Sequence, residues 1–131
     1  MLRLVIAVAA LSGCTSLQVA PPPLTGSWGG MHVGLSLDAA GGRLDYDCAA
    51  GAITGPVLVD PVGRFRATGT HTPGIGGPVR QGDVPPAFPA TYRGQVRGDA
   101  MTLTISVASR GLVIGPYQLR RGADPRLLRC L

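Results

Sequence analysis

The chain predicts an all-β fold: a small antiparallel up-and-down barrel of about eight strands, or a sandwich, preceded by a signal-peptide helix and a proline-rich tether. Three observations lead there. Gly and Pro number 20 and 12 among 131 residues, and both interrupt helices. All 12 basic residues are Arg and all seven acidic ones Asp, so the strong helix formers Lys and Glu are absent. From residue 24 onward apolar and polar residues alternate between closely spaced turn signals, the period of a half-buried strand. A hydrophobic fraction of 45% argues against wholesale disorder. The length suits one domain. Together these features exclude a large multi-substrate enzyme, a coiled coil and a multi-span membrane protein.

The N-terminus reads as an address. Arg3 supplies a charge and Leu4 to Leu11 an unbroken apolar run. As a helix that run covers about 12 Å, against about 30 Å of bilayer hydrocarbon, so it is too short to span. It fits the core of a secretory signal peptide over residues 1–13. Leu11-Ser12-Gly13-Cys14 follows at once and resembles the lipobox of bacterial lipoproteins. The resemblance implies cleavage before Cys14 and its modification by diacylglycerol and fatty acyl chains such as palmitate. An ordinary cleaved signal peptide with an incidental cysteine is the plainer alternative. Thr15 stands where an aspartate would signal inner-membrane retention, so the same resemblance implies the outer membrane, facing the periplasm. Residues 14–25 are then lipidated cysteine and tether, stiffened by Pro21-Pro22-Pro23. Residues 26–131 are the folded domain.

The cysteine count agrees. There are three, Cys14, Cys48 and Cys130, and lipidation of Cys14 leaves an even pair. An oxidising compartment favours a Cys48–Cys130 disulfide. Closing that loop of about 80 residues is worth roughly 4–5 kcal/mol in the chain-entropy description. The alternative is a metal site, but neither cysteine lies in a short Cys/His spacing.

The strands follow in order. Leu24 to Gly30 opens the domain with the only tryptophan, Trp28. Met31, Val33, Leu35 and Leu37 alternate with His32, Gly34, Ser36 and Asp38. Gly41-Gly42 turns into Arg43 to Cys48, with Leu44, Tyr46 and Cys48 on one face. Ile53 to Asp60 comes next, and Asp60-Pro61-Val62-Gly63 is a turn. Arg64 to Thr70 returns with Phe65 and Ala67 inward. Residues 71–89, rich in Pro and Gly, read as a long loop of the kind that is often functional or disordered. Ala90 to Arg97 turns through Gly98-Asp99 into Met101 to Val107, the strongest alternation in the chain. Leu112 to Arg120 closes the set, and a tail carries Cys130.

Gly26-Ser27-Trp28 resembles the G-x-W of lipocalins, in which the tryptophan plugs one barrel end beneath an arginine of the last strand. The resemblance implies a plug of Trp28 with Arg120 or its neighbour Arg121, a cation–π contact of about 0.5–2 kcal/mol. A wider set of runs is similar to a group of uncharacterised small bacterial lipoproteins: Gly26-Ser27-Trp28-Gly29-Gly30, Tyr46-Asp47-Cys48-Ala49, Gly63-Arg64-Phe65, Gly76-Gly77-Pro78-Val79 and Arg129-Cys130-Leu131. That similarity implies fold and location and brings no catalytic residue.

Catalysis needs a base, nucleophile or metal held together, and no such motif is present. His32 should face solvent. His71 opens the long loop and is a candidate contact residue, with Arg80 further along it; plain loop polarity is the bland reading. Asp45 and Asp47 share a strand face, where solvation outweighs a carboxylate pair or cation site. Gly74-Ile75-Gly76-Gly77 has no strand-to-helix context for a phosphate. The net charge of +5 favours anionic partners such as lipid headgroups or cell-wall polymer, or reflects solubility alone. Export and the lack of an aromatic platform exclude nucleic acid. The expectation is a non-catalytic module without cofactor or metal. It would be held to the membrane through Cys14 and engage an envelope protein or cell-wall polymer. The alternative is a lipocalin-like binder of a small apolar ligand. An enzyme built on His71 and the Asp pair is a distant third.

Overall fold

A computed structural model describes residues 9–10, 13, 21–74, 82 and 84–128. Eight antiparallel strands form a closed barrel in simple up-and-down order. They are β1 (Gly26–Gly30), β2 (Val33–Asp38), β3 (Gly41–Tyr46), β4 (Ala49–Thr54), β5 (Arg64–Pro73), β6 (Phe88–Arg97), β7 (Ala100–Val107) and β8 (Leu112–Arg121). A 3-10 turn, Ala108–Arg110, joins the last two. Among the described residues no helix is long and apolar enough to cross a membrane.

Closure decides barrel over sandwich. It rests on two residue pairs between β1 and β8, Trp28↔Arg121 and Gly29↔Arg120. The chain enters at Gly26, and this near end also holds residues 39–40, 55–63 and 98–99. The far end holds residues 31–32, 47–48, 74, 84–87 and 108–111.

Alternation puts every second side chain inside. On β7, Met101, Leu103, Ile105 and Val107 are all buried, against Leu35, Leu44, Phe65 and Leu119 from other strands. Eight strands leave an interior that side chains fill or one small ligand occupies. In this barrel Trp28, Tyr92, Leu44, Met101, Leu103 and Ile105, each under 2% exposed, take up that space.

Several expected boundaries move. The fourth strand is Ala49–Thr54, not Ile53 to Asp60. Gly55, with φ of +84°, ends it, and Pro56 has no N–H for a ladder. Val57 instead folds over the near end, where its carbonyl accepts the Leu24 N–H at 2.8 Å. The β2–β3 turn is Ala39-Ala40 rather than Gly41-Gly42, because Asp38 Oδ1 accepts the Ala40 and Gly41 N–H groups at 2.8 and 3.0 Å. Met31 and His32 are a turn, His32 having φ of +72°. Cys48 leaves the Leu44–Tyr46 face: it lies in the β3–β4 turn with φ of +56° and is exposed. Both ends of the expected long loop are strand, residues 71–73 and 88–89, since Thr70↔Pro89 and His71↔Phe88 extend the β5–β6 ladder.

The tail doubles back outside the barrel. Gly29 and Gly34 oppose each other across β1 and β2. A Cβ on Gly29 would overlap the Ala123 carbonyl, and one on Gly34 would come within 2.8 Å of the Pro125 ring. The two glycines therefore floor a groove for residues 123–125. Further along, Arg126 N–H donates to the Gly30 carbonyl at 3.0 Å and the Arg126 carbonyl accepts from His32 N–H at 2.8 Å. Leu128 N–H then donates to Asp47 Oδ1 at 2.6 Å. The strap thus runs from the near end to the far end.

Candidate functional site

Polar chemistry inside the barrel gathers toward the far end. Strands β3, β5, β6 and β8 bring Tyr46, His71, Tyr92 and Tyr117 together, which includes every tyrosine of the chain. The Tyr46 hydroxyl bonds His71 Nδ1, and the two rings stack with centroids 5.6 Å apart. The Tyr117 ring lies 6.3 Å from that of Tyr46. The Tyr92 hydroxyl donates to the Thr70 carbonyl at 2.5 Å. Opposite stands Gly51, where a Cβ would overlap that hydroxyl. Its missing side chain is what admits the tyrosine.

Burial pushes the His71 imidazole below its ordinary value, so it is neutral near pH 7. Its Nδ1 shares a hydrogen bond with the Tyr46 hydroxyl, which also has the Ala50 carbonyl at 3.4 Å. Burial, then the nearness of Tyr92 and Tyr117, raises Tyr46 well above the usual tyrosine value. Burial also pushes Tyr92 up to about 12. Tyr117 is raised by burial and then by the Asp47 carboxylate. The cluster is a set of neutral hydroxyls and one neutral imidazole. It offers hydrogen bonds to a polar group and holds no charged nucleophile.

On the rim above it, His32 Nδ1 faces the Asp47 carboxylate, whose other oxygen takes Leu128 N–H. A hollow of about 380 Å³ opens beside Tyr46, between Ala49, Pro73, Pro85 and Leu127. Among the described residues no group of His, Cys, Asp or Glu is placed to hold a metal ion.

Two candidate positions are corrected. His71 is not a loop residue: it is 4% exposed on β5. Thr68, Thr70 and Thr72 alternate with it, and that alternation was the available signal for an inward histidine. The plug over Trp28 is Arg121, not Arg120. Inward Leu119 and Arg121 share a parity on β8, whereas Arg120 projects outside. The Arg121 guanidinium carbon lies 4.3 Å from the Trp28 ring centroid, and its Nη1 donates to the Thr25 carbonyl at 2.9 Å. Gly26 makes room, since a Cβ there would come within 2.8 Å of Nη1. Asp45 and Asp47 do not form a pair: Asp45 is exposed on β3, and Asp47 sits in the turn and is committed to the strap and His32.

Cys14, Arg80 and Cys130 lie outside the described residues. The Cys48 thiol is not free in this structure. No protein-family model, curated protein or solved structure matches the chain.

Proposed function

We propose that this protein is a non-catalytic envelope interaction module, tethered by a lipid on Cys14 to the periplasmic face of the outer membrane. Residues 1–13 serve as the lipoprotein signal and 14–25 as the tether. Cys48 and Cys130 form the disulfide: Leu128 is bonded to Asp47, next to Cys48 in sequence, and the two residues from Leu128 to Cys130 reach at most about 7 Å. A chain of that reach lets the two cysteines meet at bridging distance.

The observation that carries the reading is the asymmetry of the two ends. The chain enters the near end, whereas six of the eight exposed large hydrophobics among the described residues, Met31, Val84, Leu112, Val113, Leu127 and Leu128, belong to the segments of the far end. A tether at one end and most of the exposed apolar surface at the other suits a partner held away from the membrane. Site-specific photocrosslinkers at Val113 and Leu128 test this in intact cells. A discrete protein adduct from both, absent from a probe at Ser36 on the barrel side, is expected. Equal labelling from all three overturns the far-end assignment. Metabolic labelling with a fatty-acid analogue, lost in Cys14→Ser, tests the anchor.

The second reading, a binder of a small apolar ligand, is favoured by the rim hollow beside Tyr46, whose size falls in the range of ligand sites. With the barrel interior filled, the ligand would sit there and not inside. Native mass spectrometry of the exported protein decides it: a stoichiometric extra mass supports the ligand reading and a bare chain the interaction module. The same spectrum reports the disulfide as a deficit of about two daltons.

A further inference from the structure

The outer surface of half the barrel is built for anions. Outward positions on β5 to β8 carry Arg64, Arg66, Arg93, Arg97 and Arg120, separated by Thr, Ser and Gln, with no acidic and no aromatic side chain. All five arginines are exposed, and none has an ion-pair partner among the described residues. Arg66 and Arg93 stand directly opposite each other across the β5–β6 ladder, an arrangement that costs stability. Every one of the five lies in the half of its strand toward the near end. The acidic residues of the near-end turns are already engaged. Asp38 caps its turn, Asp60 Oδ1 accepts the Val62 and Arg64 N–H groups at 3.0 and 2.7 Å, and Asp99 meets Arg121.

Beside the arginines, the β4–β5 loop exposes Leu58 and Val62, 57% and 62% accessible. The Gln95 amide holds this loop at the Val62 carbonyl, 3.3 Å away. Two apolar side chains on a near-end loop, bordered by unpaired guanidiniums, match the two demands of a bilayer surface: charge for the headgroups and apolar area for the acyl boundary. Missing aromatics argue against stacked bases. Exposed Leu58 and Val62 argue against a purely soluble polyanion.

We propose that the near end, through Leu58, Val62 and this arginine face, docks on a lipid surface bearing anionic headgroups. The inference uses the reading above only for orientation, since the anchored segment enters at the same end. Docking would seat the barrel on the membrane and direct the far end outward.

The test uses the full chain carrying Cys14→Ser, so no acyl chain contributes, in flotation with vesicles of phosphatidylcholine alone or with one third phosphatidylglycerol. Binding is expected only with the anionic lipid, weakening as salt rises. Arg66→Gln with Arg93→Gln should weaken it about thirtyfold, near fivefold per charge. Leu58→Ser with Val62→Ser should weaken it by about tenfold or more, and Arg110→Gln at the far end should leave it unchanged. The arginine variant relieves a like-charge pair, so its melting temperature should hold or rise, and lost binding is then not lost folding. Equal binding to both vesicle types, or no binding at low salt, overturns the proposal. So does insensitivity to the Leu58/Val62 change combined with arginine-dependent capture of soluble polyphosphate, which would make the face a polyanion site. Because the anchor is absent, failure here leaves the lipoprotein reading standing, and loss of acyl labelling on Cys14 leaves this docking face standing.

Discussion

Tyr46 and His71 show how one buried hydrogen bond ties composition to pH behaviour. His71 sits below its ordinary value of 6.5, so as pH falls the unfolded chain takes up the proton first. Stability is complete above about pH 6.5 and declines below it until the folded-state value is reached. The tyrosines act at the other limit. Tyr46 and Tyr92 are raised above their ordinary value of 10.0, so the unfolded chain ionises first and stability falls as pH rises past 10. Urea midpoints measured across pH should show both limbs, and His71→Phe should flatten the onset of the acid limb just below pH 6.5. Tyr46→Phe leaves the buried His71 Nδ1 without its hydroxyl partner and should cost about 1–3 kcal/mol at pH 7. Arg121→Ala removes the cation over Trp28 and should cost about 0.5–2 kcal/mol. Arg120→Ala, on the outside one residue earlier, should change the unfolding midpoint little, and thermal melts of the two variants separate the assignments.

The strands were readable to the extent that their inward positions are large and apolar. Met101 to Val107 alternates without a break, and β7 lies where the pattern puts it. The fourth strand hid because Ala49-Ala50-Gly51-Ala52 carries too little side chain to show a period, and the apolar run after it drew the reading toward Val57 and Val59. Its smallness has a cause across the barrel: Gly51 yields to the Tyr92 hydroxyl, a contact with no signature in local sequence. His71 was missed because its neighbours inside are a glycine and a proline, Gly69 and Pro73. The glycines of β1 and β2 signal weakness when read locally, yet they floor the groove for the strap. Gly34→Val should push Pro125 off this floor. Trypsin should then cut after Arg126 about tenfold faster, from an overlap of roughly 1–3 kcal/mol, with the barrel's far-ultraviolet spectrum unchanged.

As a whole, the molecule closes with a short seam. β1 has five residues and β8 ten, so the far-end half of β8 has β7 on one side and no ladder on the other. Pro116 removes a donor there, and the register shifts between Leu103 and Ile105, two features that discourage pairing with another chain's edge. Amide exchange should follow the seam, with Leu112 to Tyr117 opening before the centre of β7. The seam also bears on force. A partner gripping the far end while the lipid holds the N-terminal segment would pull along β1, parallel to the strands. Ladder hydrogen bonds lie across that direction, so the five pairs joining β1 to β2 would be loaded together and would give way as a group. A pull on the other face of the barrel would peel them singly. If the anchor proposed on Cys14 is in place, β1, the shortest strand among the described residues, would thus be set in shear, the geometry in which a short strand resists longest.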